Sequence, residues 1–206
     1  MPDYEIKRWD ESNFDISKYQ YAERAYKTGA MALVSDYARL KILYDEGGVY
    51  LDTDVELIRP LDDLLDQGGF MGFEKNSFTT EMLNVNIGLG VAVPPYHPFI
   101  KEAIDFYDSL GDNNIPTIVT VMTQILKRHG LSQSDTPTTI EGITFYPADY
   151  FCPLEFLTTK VEITKNTRSI HHYSASWMTR LDKLKMKKGF YANKLRHFIS
   201  HIRSKF

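Results

Sequence analysis

Apolar positions recur along the chain at helical and strand spacings. From Ala30 to Glu46 there is no Gly or Pro, and Leu33, Val34, Tyr37, Leu40, Leu43 and Tyr44 fall at helical intervals. Gly47-Gly48 ends the run, since glycine takes the left-handed conformation that a helix stop often needs. Val49-Tyr50-Leu51 then reads as a short buried strand. Upstream, Tyr4 to Trp9 alternates and predicts a strand, Asp10 to Ile16 a polar connection, and Ser17 to Thr28 a short amphipathic helix broken at Gly29. Downstream, Asp62 to Asp66 predicts one helical turn, Gly69 to Glu74 a strand, Asn84 to Gly90 a loop and strand, and Pro94 to Pro98 a turn. Phe99 to Ser109 is a clear amphipathic helix. Ile115 to His129 is another, with Pro116 in its first turn and Gly130 as its stop. Leu131 to Thr139 reads as polar and mobile, Ile143 to Tyr146 as a strand, Pro147 to Pro153 as a loop, and Thr167 to Tyr173 as the last strand and loop. Such an alternation in 206 residues fits one α/β domain with a sizeable core.

The chemistry is concentrated where the strand after Gly48 runs out, at Asp52-Thr53-Asp54. Two unpaired carboxylates are poor core residues, because burying them costs several kcal/mol. They must face water, a base or a cation. Mg2+ and Mn2+ prefer oxygen ligands, and such sites often combine one or two carboxylates with substrate phosphates. A bare Asp-x-Asp is also common in polar turns. Asp36 and Arg39, at i and i+3, share a face of the preceding helix and are either a surface ion pair or part of the same site.

The longer pattern resembles a known family. Asp36-x-x-Arg39, then Leu43-x-x-x-Gly47-Gly48-x-Tyr50-x-Asp52-x-Asp54, is similar to the Asp-x-Asp sugar transferases of glycosyltransferase family 32. These include bacterial capsule and lipopolysaccharide enzymes. The similarity runs from about Pro2 to Trp177. It implies a GT-A-like, Rossmann-related domain over residues 1–177, with a mostly parallel sheet and helices on both faces. It also implies a nucleotide-sugar donor, with UDP-hexose favoured and GDP-mannose the alternative, a divalent metal (Mn2+ or Mg2+), and retention of anomeric configuration. The acceptor is a saccharide or lipid-linked saccharide. Family members carry a strand and helix before the Pro2-Asp3-Tyr4-Glu5 segment, so this chain is expected to lack that first strand.

The resemblance also assigns roles. Asp54 is expected to bind the metal directly, and Asp52 the ribose or the metal through water, with Tyr50 beside them. Asp36 and Arg39 fall at the donor sugar. Asn86, before Gly88, falls beside the anomeric carbon or the acceptor, with Asn84 as an alternative register. His171-His172-x-x-x-Ser176-Trp177 matches a pattern that supplies a further metal ligand. Neighbouring strand positions point to opposite faces, so one histidine reaches the metal, and His172 is favoured over His171. Ser176 is expected at a phosphate. Trp177 is expected over the phosphates or base, or else as a core plug.

Composition adds three constraints. A single cysteine, Cys152, excludes an intramolecular disulfide and is consistent with a reducing compartment. No run of 18 apolar residues is long enough to cross a membrane as a helix, and the first residues lack the apolar core of a secretory leader. The net charge of −3 hides an asymmetry: from Trp177 to Phe206, nine Lys and Arg face Asp182 alone. That stretch carries +8 and the remainder −11. Leu195, Phe198, Ile199, Ile202 and Phe206 lie at helical spacing within it. The tail, residues 178–206, therefore reads as an interfacial helix for an anionic membrane surface, or as a helix packed on the domain. The chain is expected in the cytoplasm, peripheral at the membrane face. Nucleic acid is not expected as a partner, since no binding motif accompanies the basic residues. There is no P-loop, and Gly88-x-Gly90 is followed by Val93 where a dinucleotide fingerprint wants Gly or Ala. Two further readings fit the same residues: an inactive fragment that binds a partner or membrane, and a nucleotide-sugar hydrolase.

Overall fold

The computed structural model describes residues 4–75, 84–111, 116–155 and 160–174. After a single 3-10 turn at Ile16–Lys18, in which the Asp15 side chain accepts from the Ser17 N–H, come α1 (Gln20–Lys27) and α2 (Met31–Glu46). The extended backbone of Tyr19 (φ −123°, ψ 104°) separates the turn from α1, which therefore starts three residues later than its apolar pattern. Helix α2 buries Val34, Tyr37, Leu40 and Leu43 on one face. Leu40 has no exposed surface, and truncating such a residue to Ala costs about 2–5 kcal/mol. Gly47 ends the helix at φ +67°, and a Cβ there would lie 2.7 Å from Pro95 and 2.9 Å from the Val93 carbonyl. Both the backbone angle and the space require glycine.

The chain continues through β1 (Gly48–Tyr50), β2 (Val55–Leu57), α3 (Asp62–Leu65), β3 (Gly69–Gly72) and β4 (Val91–Val93). Then follow α4 (Pro98–Ser109), α5 (Ile118–Arg128), β5 (Thr138–Ile140), β6 (Ile143–Tyr146), α6 (Ala148–Phe151) and β7 (Ser169–His171). Five strands form one sheet in the order β1-β4-β3-β6-β5, and β2 and β7 form a second, two-stranded sheet. Strand residues alternate between two packed faces. Met71, Val91, Val93, Ile143 and Phe145 join the core under α1, α2, α4 and α5. Phe70, Ala92 and Tyr146 face the smaller cluster under α3 and α6, where Phe70 stacks on Phe151 at 5.2 Å. The α/β class and the helices on both faces are as anticipated.

The sheet is not mostly parallel. Among its described pairings, β3–β6 is parallel and β1–β4, β3–β4 and β5–β6 are antiparallel. The connections give the reason. A parallel pair needs a crossover long enough to return the chain, and α4 and α5 lie in the crossover from β3 to β6. Strands β5 and β6 are joined by Glu141-Gly142 alone, both at positive φ (+48° and +78°), a geometry that matches the twist of a tight hairpin. The hairpin's first strand takes Thr138 and Thr139 from the end of the segment expected to be polar and mobile, while residues 131–137 form no helix or strand. Tyr4 to Trp9 is a second correction, since it joins no ladder and Ile6 is 90% exposed. Alternation prepares a strand but does not supply a neighbouring edge, and here the segment is held by its polar groups, Lys7 to Glu46 and the Arg8 carbonyl to Asn13.

Candidate functional site

Strand β1 delivers Asp52 to the end of the sheet, where its N–H donates to the Gly88 carbonyl at 3.0 Å. A turn closed by Val55 N–H to the Asp52 carbonyl then leads into β2. Strand β2 pairs with β7 so that Val55 lies opposite His171. This turn and the β2–β7 pairing thus bring Asp52 and Asp54, from one segment, together with His171 from another. Their ligand atoms all lie within 4.8 Å of one another.

Each aspartate has one oxygen held by the protein and turns the other toward His171. Asp52 Oδ1 accepts from Arg39 Nη1 at 2.8 Å and from the Tyr50 hydroxyl at 2.9 Å. Its Oδ2 lies 3.7 Å from His171 Nε2. Asp54 Oδ2 accepts from the Ser174 N–H at 2.8 Å and the Ser174 hydroxyl at 2.9 Å. Its Oδ1 lies 3.0 Å from His171 Nε2. Burial by itself would raise the Asp54 carboxyl, but the two Ser174 bonds and His171 hold it below the usual carboxylate range. Two carboxylate oxygens and an imidazole nitrogen within 4.8 Å of one another make a donor set that fits a divalent ion.

Gly88 makes room for this arrangement. A Cβ at Gly88 would stand 2.2 Å from Asp52 Oδ2 and 3.1 Å from Asn86 Oδ1. Asn86 is buried, accepts from the Gly88 N–H at 2.8 Å and donates to Glu74 at 3.1 Å. The expected Asn86–Gly88 pair therefore lies directly behind Asp52.

Arg39 is 10% exposed in its side chain and bridges Asp36, at 3.1 Å, to Asp52, with its guanidinium 4.8 Å above the Tyr50 ring. The i, i+3 pair is thus buried within the site rather than on the surface. Burial pushes the Asp36 carboxyl up to about 6, with Arg39 pulling it down and Asp52 raising it.

The structure brings His171, not His172, to the aspartates. Alternation along the strand sends the next side chain outward, and exposed His172 bonds Glu56 at 2.9 Å while its N–H donates to the Asp54 carbonyl. Ser176, Trp177, Asn84's neighbours at 76–83 and the basic tail lie outside the described residues. Ser174, Tyr173 and Glu74 belong to the site but were not singled out by sequence. Ser174 carried a signal, as the hydroxyl residue two places beyond the paired histidines.

Residues 1–71 match the family model described as "Glycosyltransferase sugar-binding region containing DXD motif". The chain is similar to Asp-x-Asp glycosyltransferases. Its matched stretch carries Asp36, Arg39, Tyr50, Asp52 and Asp54. It is also 24% identical over 157 residues to the Homo sapiens protein named alpha-1,4-N-acetylglucosaminyltransferase. That alignment covers 74% of this chain and 43% of the human protein. The chain thus spans less than half the length of this glycosyltransferase relative.

Proposed function

We propose that this chain is a metal-dependent, retaining glycosyltransferase that moves a sugar from a nucleotide-sugar donor to a saccharide acceptor. The observation behind this reading is the pair of aspartate oxygens, Asp52 Oδ2 and Asp54 Oδ1, both turned to His171 Nε2 while the protein holds the other oxygen of each carboxylate. Asp52, Asp54 and His171 are the residues that would hold Mn2+ or Mg2+. When bound, such an ion neutralises the donor diphosphate and stabilises it as a leaving group.

The chain's own residues do the positioning. Arg39 and Tyr50 fix the far oxygen of Asp52, and Ser174 fixes that of Asp54. Asp36, whose carboxyl is pushed up to about 6 by burial, accepts hydrogen bonds from donor-sugar hydroxyls. Asn86 holds the Gly88 turn against Asp52 from the acceptor side. Ser176 and Trp177 belong with the diphosphate and base. In the transfer, the bond from the anomeric carbon to the diphosphate oxygen breaks. The acceptor oxygen bonds that carbon on the same face, and its proton passes to the leaving oxygen. The products are a nucleoside diphosphate and a glycoside. The human relative's name specifies an α-linked N-acetylglucosamine product, which supports including N-acetylhexosamine donors beside UDP-hexoses and GDP-mannose. The family resemblance supports a role in bacterial capsule or lipopolysaccharide assembly. The +8 tail on a −11 body supports a cytoplasmic protein peripheral to an anionic membrane.

The test is nucleotide release from a panel of UDP- and GDP-sugars with Mn2+, with and without saccharide acceptors. Release that an acceptor accelerates is the expected result. Release indifferent to every acceptor would make the chain a hydrolase, and no release from any donor would contradict the reading.

A further inference from the structure

Glu74, just past β3, belongs to neither the Asp-x-Asp motif nor the helix before it, yet one of its oxygens ties together both flanks of the site. Its Oε1 accepts from Asn86 Nδ2 at 3.1 Å and from the Tyr173 hydroxyl at 2.8 Å. Asn86 leads to Asp52 through Gly88, whose missing Cβ separates Asn86 Oδ1 from Asp52 Oδ2. Tyr173 leads to His171, since the two rings meet edge to face with centroids 4.2 Å apart.

His171 depends on that contact. A metal-binding histidine ordinarily donates its second ring N–H to a carboxylate, carbonyl or water, which fixes the ring. His171 Nδ1 is buried and has no hydrogen-bond partner among the described residues, so on that side of the ring packing takes the place of a hydrogen bond. Tyr173 does the packing from a left-handed backbone, φ +49°, a conformation that is unfavourable to a non-glycine residue and persists where surrounding contacts hold it. The bond to Glu74, with Cys152 Sγ 3.1 Å from the same hydroxyl, is such a contact. The Glu74 backbone is itself fixed by its N–H to the Asn84 carbonyl at 2.9 Å.

We propose that Glu74 is a positioning residue of the metal site, acting through Tyr173 on His171 and through Asn86 on the Gly88 turn behind Asp52. The inference rests on the metal-site reading above. It makes Oε1, as an acceptor of two hydrogen bonds, the working part of the side chain, rather than the carboxylate charge.

Mn2+ alone, titrated into the full chain and followed by electron paramagnetic resonance, separates these. In Glu74→Gln the amide oxygen can still accept both bonds, and Mn2+ affinity should stay within about twofold of the unaltered protein. Glu74→Met fills similar space without an acceptor and should weaken binding about tenfold, the lower end of what outer-shell partners of metal sites contribute. Tyr173→Phe should weaken it also, and the Glu74→Met/Tyr173→Phe double variant should lose less than the sum of the two. Tyr173→Phe keeps the test open should Glu74→Met fold poorly. Equal loss in Glu74→Gln and Glu74→Met would assign the effect to charge and overturn the proposal. So would unchanged affinity in Glu74→Met and Tyr173→Phe when the unaltered protein binds Mn2+. An unaltered protein that binds no Mn2+ would instead overturn the metal-site reading, and this inference with it.

Discussion

Arg39 Nη1 stands 2.8 Å from Asp52 Oδ1, so a buried guanidinium on α2 holds the oxygen of Asp52 that does not face His171. The same guanidinium pairs Asp36 at 3.1 Å. Removing it leaves two carboxylates without their counter-ion, and breaking such a buried pair costs about 3–5 kcal/mol. Arg39→Met should therefore lose about 3 kcal/mol in urea unfolding, and Arg39→Met/Asp36→Leu should recover part of the loss. A single variant as stable as the unaltered protein would show that the cluster is not held as described.

The two histidines should separate cleanly. His171→Ala removes the only imidazole that approaches both aspartates among the described residues, and Mn2+ affinity should fall at least tenfold. His172→Ala removes an exposed partner of Glu56 and should change Mn2+ affinity by less than threefold. Isothermal titration of Mn2+ into both variants checks this, and the reverse ranking would restore His172 as the ligand.

Gly88→Ala is a test of space. The new methyl would meet Asp52 Oδ2 at 2.2 Å, and an aspartate can swing aside more readily than the backbone can move. The expected result is a loss of about 1–2 kcal/mol in stability, with a disproportionate loss of Mn2+ binding because the displaced oxygen is the one facing His171.

His129 carries a pH signature far from the site. It bonds Glu102 through Nε2 at 2.5 Å and Glu141 through Nδ1 at 2.7 Å, and both nitrogens can donate only in the protonated ring. The bond to Glu102, then that to Glu141, raises its pKa above the ordinary histidine value. A raised folded pKa gives stability that is fully present below the unfolded value, about 6.5, and is lost as pH rises through the folded value. Melting temperature should accordingly fall above about pH 6.5 in the unaltered protein and change less in His129→Gln. Parallel pH profiles for the two would contradict this assignment.

Much of the site was legible in the sequence because its residues are local to one another. Asp36, Arg39, Tyr50, Asp52 and Asp54 lie within one helix–turn–strand, and helical spacing with a glycine stop is enough to place them on it. Helices α2 and α4 were equally readable from their apolar intervals. What failed depended on distant partners. Which histidine turns inward is set by the pairing of Val55 with His171, and β2 was not among the elements read from the sequence. Strand direction in the sheet follows from connection lengths, and the Glu141-Gly142 turn between Thr138-Thr139-Ile140 and Ile143-Thr144-Phe145 was a hairpin signal passed over. Glu74 could not be read at all, because its two bonding partners stand 12 and 99 residues away.

The most direct test of the account is calorimetric titration of UDP and of GDP into the 206-residue chain, once with Mn2+ and once with EDTA, alongside Asp54→Ala. One nucleotide should bind with Mn2+, and that binding should be lost in EDTA and in a folded Asp54→Ala variant. Binding that is indifferent to EDTA and to Asp54→Ala, or no binding of either nucleotide to the folded protein, would contradict it.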